Sequence, residues 1–313
     1  MHAAVVTSFD IPPSYQEFPT PTPHGSDEEL VDVVASGLHR RVRSQADGSH
    51  YTSTGELPLV PGIDGVGRMP DGTLRYFALG DTTSGAMAEQ TVIDLRQSFP
   101  LPDGTDPVLV AAAMNPAMSS WVALRRRIDF RAGQNVLILG ATGGSGQMAV
   151  QVAKRLGAGR VIAAGRNPEL LAALPELGAD TIVRLGETPG LGEVAADVDV
   201  VIDYLWGQVT VDAMTAIATS RTDDSRPLTW IEIGSVAGLT AAIPSAALRA
   251  LPMQIVGSGQ GSVSTAGILA ELPALVDEIG SGALRIDARS VPLADVTRAW
   301  QGVEPGARVV LTP

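Results

Sequence analysis

The sequence predicts an α/β chain of two domains, in which a doubly wound parallel sheet is joined to a strand-rich module. Three observations carry that expectation. At 313 residues the chain exceeds what one hydrophobic core usually supports. From Asn135 onward, short apolar runs alternate with segments able to form helices, as parallel strands buried on both faces do. The first of those runs ends in a glycine-rich turn, Gly140-Ala-Thr-Gly-Gly-Ser-Gly146.

Before Val108 the chain reads as short strands, His2–Thr7, Glu29–Ala35 and Met87–Ile93. Turn clusters such as Pro12-Pro13 and Pro102-Asp-Gly104 separate them, so this half is expected to be a barrel-like all-β module. Val108–Ala113 and Trp121–Arg127 then carry helical spacing. Parallel strands are expected at Val136–Leu139, Arg160–Ala164, Thr181–Arg184, Val198–Asp203, Thr229–Ile233 and Met253–Gly257, with a helix over Gln147–Leu156. The tail reads helix over Ile268–Gly280, helix over Val291–Trp300 and strand over Arg308–Leu311.

The bulk properties exclude several classes of function. A net charge of -12 repels a phosphate backbone, so nucleic acid is not an expected partner. With no cysteine, disulfides, thiolate nucleophiles and thiolate metal sites are ruled out. No run of about 18 uninterrupted apolar residues occurs, and the amino terminus has no cationic start before an apolar run, so no membrane partner and a cytoplasmic location are expected.

The glycine loop joins an apolar strand to an amphipathic helix, the context a dinucleotide site requires. In this reading Gly140 permits the turn, Gly143 and Gly144 admit a pyrophosphate, and Gly146 lets helix and strand pack closely, with Thr142 and Ser145 completing the loop. Amides at the helix start face the phosphate charge. Twenty residues beyond Gly146 the second strand ends in Ala164-Gly-Arg-Asn167, with no carboxylate to accept a ribose hydroxyl. Arg166 can pair with a 2′-phosphate and Asn167 can add a hydrogen bond, which favours NADPH. The competing reading is a surface arginine beside a helix starting at Pro168.

Together these segments resemble the medium-chain dehydrogenase/reductase superfamily, in its zinc-independent, quinone oxidoreductase-like branch. The resemblance also covers Pro58-Leu-Val-Pro-Gly-Ile-Asp-Gly-Val-Gly67, Gly85-Ala-Met-Ala-Glu-Gln90 and Val291-Pro-Leu-Ala-Asp-Val-Thr-Arg-Ala-Trp300. It implies a GroES-like catalytic domain over residues 1–118, completed by 259–313, around an inserted Rossmann domain over 119–258. It also implies a homodimer, paired through the strand at Met253–Gly257. Zinc-dependent members carry a cysteine after Ser-Gly and a Gly-His-Glu triplet, where this chain has Ser36-Gly-Leu-His39 and Gly62-Ile-Asp64. The four histidines all fall within the first fifty residues, but their spacing matches no standard ligand pattern.

Reduction of a quinone or an α,β-unsaturated carbonyl by hydride builds negative charge on oxygen, so a hydrogen-bond donor near that oxygen lowers the barrier. His39 is the first candidate, with Ser44 or Tyr51 in support; a loop histidine bonded to solvent or a carbonyl is the alternative. By resemblance, Met114–Trp121 borders the nicotinamide, which brings in Asn115 and Ser119; Asn115 has the rival reading of a cap for a helix beginning near Pro116. Trp206, Gly234, Ser235 and Ser258 follow expected strands at the edge where such sheets bind ligands, although Gly234, Ser235 and Ser258 also suit plain turns. The basic clusters at residues 39–43 and 125–127 would attract an anionic substrate or form solvated faces. The expected activity is NADPH-dependent reduction of small quinones or activated alkenes. A dedicated enoyl or ketone reductase and an NADPH-binding sensor are the alternatives.

Overall fold

The computed structural model describes residues 1–186, 190–302 and 307–313. The chain divides into two compact units, one of Met1–Asn115 with Leu272–Pro313 and one of Pro116–Glu271.

In the first unit, β1 (His2–Val5) pairs antiparallel with β2 (Ser14–Glu17). β3 (Glu28–Gly37) leads into α1 (Arg40–Ala46) and then into the hairpin of β4 (Asp64–Arg68) and β5 (Leu74–Ala78). β6 (Gln90–Asp94) pairs with β3 and β7 (Ser98–Pro100) with β5. α2 (Pro107–Val122) then carries the chain onward and continues into a π turn over Ala123–Arg127. The two short helices expected here are therefore one element. Pro107–Arg127 is long and apolar enough to cross a membrane by length and composition alone, yet 67% of its apolar window is buried.

In the second unit, β8 (Asn135–Leu139) leads into α3 (Gly144–Arg155), β9 (Arg160–Gly165), α4 (Pro168–Ala172) and β10 (Thr181–Arg184). α5 (Leu191–Val194), β11 (Val200–Asp203), α6 (Gly207–Ser220), β12 (Leu228–Glu232), α7 (Ser245–Ala250), β13 (Met253–Gly257) and α8 (Thr265–Leu269) follow. All six strands are parallel, in the order β10-β9-β8-β11-β12-β13. Connections of this kind place helices on the sheet faces, which is why the central strands β8, β9 and β11 are almost wholly apolar and buried. Leu137, Leu139, Ile162, Val201, Met214, Ile217 and Trp230 form one core cluster under them.

The chain then returns to the first unit through α9 (Leu272–Gly280), β14 (Ala288–Pro292), α10 (Val296–Gln301) and β15 (Arg308–Thr312). The expected helix over Val291–Trp300 is corrected at its start. Val291 and Pro292 belong to β14, because β15 offers that segment a parallel strand partner. Val291, Leu293, Val296 and Leu311 join Ala4, Val5, Val60 and Met87 in one core, so the carboxyl-terminal segment completes the first unit.

Candidate active site

β8 delivers the chain to the point where strand order reverses, between β8 and β11. Open α/β sheets bind ligands there, because chains leaving neighbouring strands diverge and leave a crevice. Gly140 makes the turn with φ 85°, a conformation that side chains resist. A Cβ on Gly146 would lie 2.2 Å from the Gly140 carbonyl oxygen and 2.6 Å from Ala141 Cα, so glycine alone lets α3 start this close to β8. Gly143 differs. It is exposed, and its nearest neighbour to an added Cβ would be 3.4 Å away, so internal packing does not demand glycine there.

Gly144 is likewise exposed and Ser145 is half-buried. Gly143, at the N-cap, has no side chain to cap the first turn of this 12-residue helix, so the positive end of α3 faces the loop. Thr142 packs on the end of β9, where a Cβ on Gly165 would lie 2.7 Å from Thr142 Cγ2. This cradle fits a pyrophosphate.

Arg166 follows β9 and is exposed. Arg184, at the end of β10, donates from Nε to the Arg166 carbonyl at 3.2 Å, which brings a second guanidinium to this turn. Asn167 caps α4, its Oδ1 accepting from the Glu169 and Leu170 amides at 2.9 and 3.1 Å. Its carbonyl is thereby committed to the helix, and only its amide nitrogen suits a ligand.

The turn after β11 is organised by Asp203, which is wholly buried. Oδ1 accepts from the Leu205 and Trp206 amides at 2.8 and 3.0 Å, while Oδ2 accepts from the Thr210 hydroxyl and from Trp230 Nε1. This holds Trp206 at φ 53°, ψ -168°, a region that non-glycine residues avoid. The strain locates Trp206 at the start of α6 on the carboxyl edge of the sheet. Ser119 reaches the same turn. Its hydroxyl donates to the Pro116 carbonyl at 2.9 Å and lies within hydrogen-bond distance of the Tyr204 hydroxyl, at 2.8 Å. Gly234 also packs here, since a Cβ on it would lie 3.2 Å from the Tyr204 carbonyl. Ser235 is half-buried beyond β12, and the Ser258 amide bonds the Glu232 carbonyl at 2.8 Å, extending the strand register.

In the first unit, His39 stands between β3 and α1, at the helix N-cap but with no side-chain capping bond. Its Nε2 lies 2.9 Å from Asp64 Oδ1, and the Tyr76 hydroxyl donates to Asp64 Oδ2 at 2.8 Å. Asp64 and Tyr76 are 2% and 1% exposed. Burial, with the Asp64 carboxylate beside it, pushes the Tyr76 pKa far up, so its hydroxyl stays protonated. His39 Nδ1 is buried and has no partner among the described residues.

The other expected donors are engaged differently. Ser44 Oγ donates to the Arg41 carbonyl at 3.0 Å, and Tyr51 is 72% exposed, its ring tilted against that of His50. Asn115 lies half-buried inside the continuous α2, which corrects the reading of it as a helix cap.

The basic clusters are largely consumed internally. Arg41 bonds Thr52 and Asp81, and Arg43 bonds the Trp300 carbonyl and stacks over its ring. Arg125 and Arg126 pair with the buried Glu271, and Arg127 donates to the Gly257 carbonyl. Among the described residues no three His, Asp or Glu side chains group to hold a metal ion.

Sequence reasoning missed the roles of Asp64, Tyr76, Arg184, Asp203 and Tyr204. Asp203 carried a signal, an acid ending an apolar strand; the pairing of His39 with Asp64, 25 positions further on, carried none.

Residues 144–221 match the family model described as zinc-binding dehydrogenase. A probable NADPH-dependent quinone reductase from Emericella nidulans is 31% identical, with all of both chains covered. The chloroplastic NADPH-dependent alkenal/one oxidoreductase of Arabidopsis thaliana is 25% identical over 67% of this chain and 63% of its own length. The quinone oxidoreductase of Thermus thermophilus, whose crystal structures include a complex with NADPH, is 25% identical, with all of both chains covered and a TM-score of 0.79. With the parallel sheet, the glycine cradle and a full-length relative in agreement, this chain belongs to the quinone oxidoreductase-like branch of the medium-chain dehydrogenase/reductase superfamily.

Proposed function

We propose that the chain is an NADPH-dependent oxidoreductase that reduces quinones or activated alkenes by hydride transfer, without zinc. The observation that carries the cofactor assignment is the turn after β9, where Arg166 stands with Arg184 bonded to its backbone and the segment Gly165–Pro168 has no carboxylate. NADPH supplies the hydride when bound. Gly140, Thr142, Gly143, Gly144, Ser145 and Gly146 hold its pyrophosphate; Arg166, Arg184 and the Asn167 amide hold its 2′-phosphate. Ser119, Trp206, Gly234, Ser235 and Ser258 line the rest of its path along the sheet edge, and Asn115 orients the reacting groups.

His39 donates to the acceptor oxygen, with Ser44 and Tyr51 in lesser supporting roles. The donor set supports the zinc-free reading: a chain without cysteine has His39 and Asp64 bonded to one another rather than arranged for a cation. The relatives named for quinone and alkenal/one reduction support the acceptor class. A dedicated enoyl reductase draws support from the similarity to a trans-enoyl reductase of Aspergillus terreus, 25% identical over 68% of this chain. The proposal includes a cytoplasmic homodimer paired through β13, which ends the sheet with one strand neighbour.

The test is transfer of deuterium from NADPH labelled at the transferable position to a model enone. Label at the enone β-carbon supports hydride transfer to an activated alkene. Consumption of NADPH with quinones alone restricts the activity to them, and label delivered only to an enoyl thioester favours the second reading.

A further inference from the structure

We infer that Asp64, held by Tyr76, is the positioning residue that fixes the His39 tautomer, so that Nε2 carries a proton and Nδ1 is the pole that serves the acceptor oxygen. The inference rests on the donor role given to His39 above and adds to it which nitrogen acts and what makes it act.

The argument follows the hydrogen atoms. The Tyr76 hydroxyl stays protonated and 2.8 Å from Asp64 Oδ2, so it donates and occupies that oxygen. Asp64 Oδ1, 2.9 Å from His39 Nε2, can only accept, and the imidazole must therefore present Nε2–H to it. The opposite tautomer would set two lone pairs against each other in a buried place. Nδ1 is then bare in the neutral ring and protonated in the imidazolium. It is buried, with no partner among the described residues. A buried polar atom without a partner is costly, so a group from outside the chain is its natural partner.

Bound NADPH would supply the hydride, and its two electrons, to the electrophilic carbon, and the displaced π electron pair would move to the acceptor oxygen. The Nδ1–H bond of the imidazolium breaks, its proton forms the O–H bond, and the bonding pair stays on Nδ1. His39 ends neutral, still donating Nε2–H to Asp64, and water returns the proton to Nδ1. Asp64 orients the ring through Oδ1 and is itself held through Oδ2, which separates positioning from proton transfer.

The Asp64→Asn variant tests this, because Tyr76 dictates how the amide lies. The Asn carbonyl turns to the Tyr76 hydroxyl and the NH2 to His39, which makes Nε2 the acceptor and moves the ring proton to Nδ1. The tautomer is read by long-range nitrogen–proton NMR on protein carrying nitrogen-labelled histidine, with the His39 signal assigned through His39→Gln. The expected result is Nε2–H in the neutral ring of the native protein and Nδ1–H in the variant. Turnover should fall by about 10-fold or more at unchanged KM for NADPH, because a neutral Nδ1–H without the Asp64 carboxylate behind the ring is a far weaker proton donor than the imidazolium.

A native Nδ1–H tautomer, or a variant that keeps both native tautomer and native kcat, overturns the inference. Should Asp64→Asn fail to fold, Tyr76→Phe serves: it should keep Nε2–H while lowering kcat severalfold, and an unchanged kcat would count against the inference. If His39→Gln turns over as fast as native protein, the donor role itself falls. That result is distinct from a failed tautomer switch, and it removes any catalytic consequence of the positioning.

Discussion

Gly146 lies so close to Gly140 that an added Cβ would stand 2.2 Å from the Gly140 carbonyl oxygen. The contact is backbone to backbone, so no side chain can rotate away to relieve it. Gly146→Ala must push α3 off β8 and deform the cradle. The expected cost is about 1–3 kcal/mol, as for other overpacked sites, seen as a lower denaturation midpoint together with weaker NADPH binding. A variant with native stability and native NADPH affinity would show that the cradle tolerates the shift.

Arg166 and Arg184 set a second expectation. A hydrogen bond to a charged group contributes about 1.5–3 kcal/mol, so removal of either guanidinium should raise the KM for NADPH roughly tenfold or more. NADH lacks the 2′-phosphate, and its KM should not move. The ratio of the two cofactors, measured for Arg166→Ala and Arg184→Ala, separates phosphate recognition from general damage, which would weaken both alike.

Asp203 satisfies four donors, Leu205 N, Trp206 N, Thr210 Oγ1 and Trp230 Nε1, from a wholly buried position. Asp203→Ala leaves them without their acceptor and frees the strained turn at Trp206. A loss of about 3 kcal/mol or more is expected, measured by chemical denaturation.

Two carboxyl groups give stability effects of opposite sign with pH. Burial, with Asp203 alongside, raises the Glu232 pKa, so the folded state favours the protonated form. Its destabilising effect is absent below the unfolded pKa and complete above the folded one. Glu232→Gln should therefore stabilise the protein at neutral pH and change little in acid. At Glu271 burial acts upward, but Arg125, Trp121 and Arg126 outweigh it and lower the pKa. Its contribution is present above the unfolded pKa and lost as pH falls through the folded pKa. Glu271→Gln should destabilise at neutral pH, with the difference fading in acid. Melting curves across pH distinguish the two.

The parallel sheet was legible because its central strands are apolar on both faces and all are bounded by turns; the edge strands Thr181–Arg184 and Met253–Gly257, though partly exposed, match residue for residue. β4 was not legible. Its Asp64-Gly-Val-Gly-Arg68 has glycines where a strand pattern shows apolar side chains, since Gly67 faces Val31 and Phe77 at distances that leave no room for a Cβ. The glycine cradle lies within one local segment and could be read directly. The His39–Asp64–Tyr76 chain joins three separate segments, and only the antiparallel pairing of β3, β4 and β5 brings them together. Trp206 was marked by its place after a strand, but the backbone strain that fixes it depends on a buried carboxylate, which no local pattern announces.

Loss of the reduced nicotinamide absorbance, followed with chelator-treated protein and a panel of quinones and enones, tests the central claim most directly, with NADH run in parallel. The account predicts acceptor-dependent oxidation of NADPH, much slower oxidation of NADH and no effect of the chelator. Tight NADPH binding with no oxidation by any acceptor, or activity abolished by chelation, would contradict it.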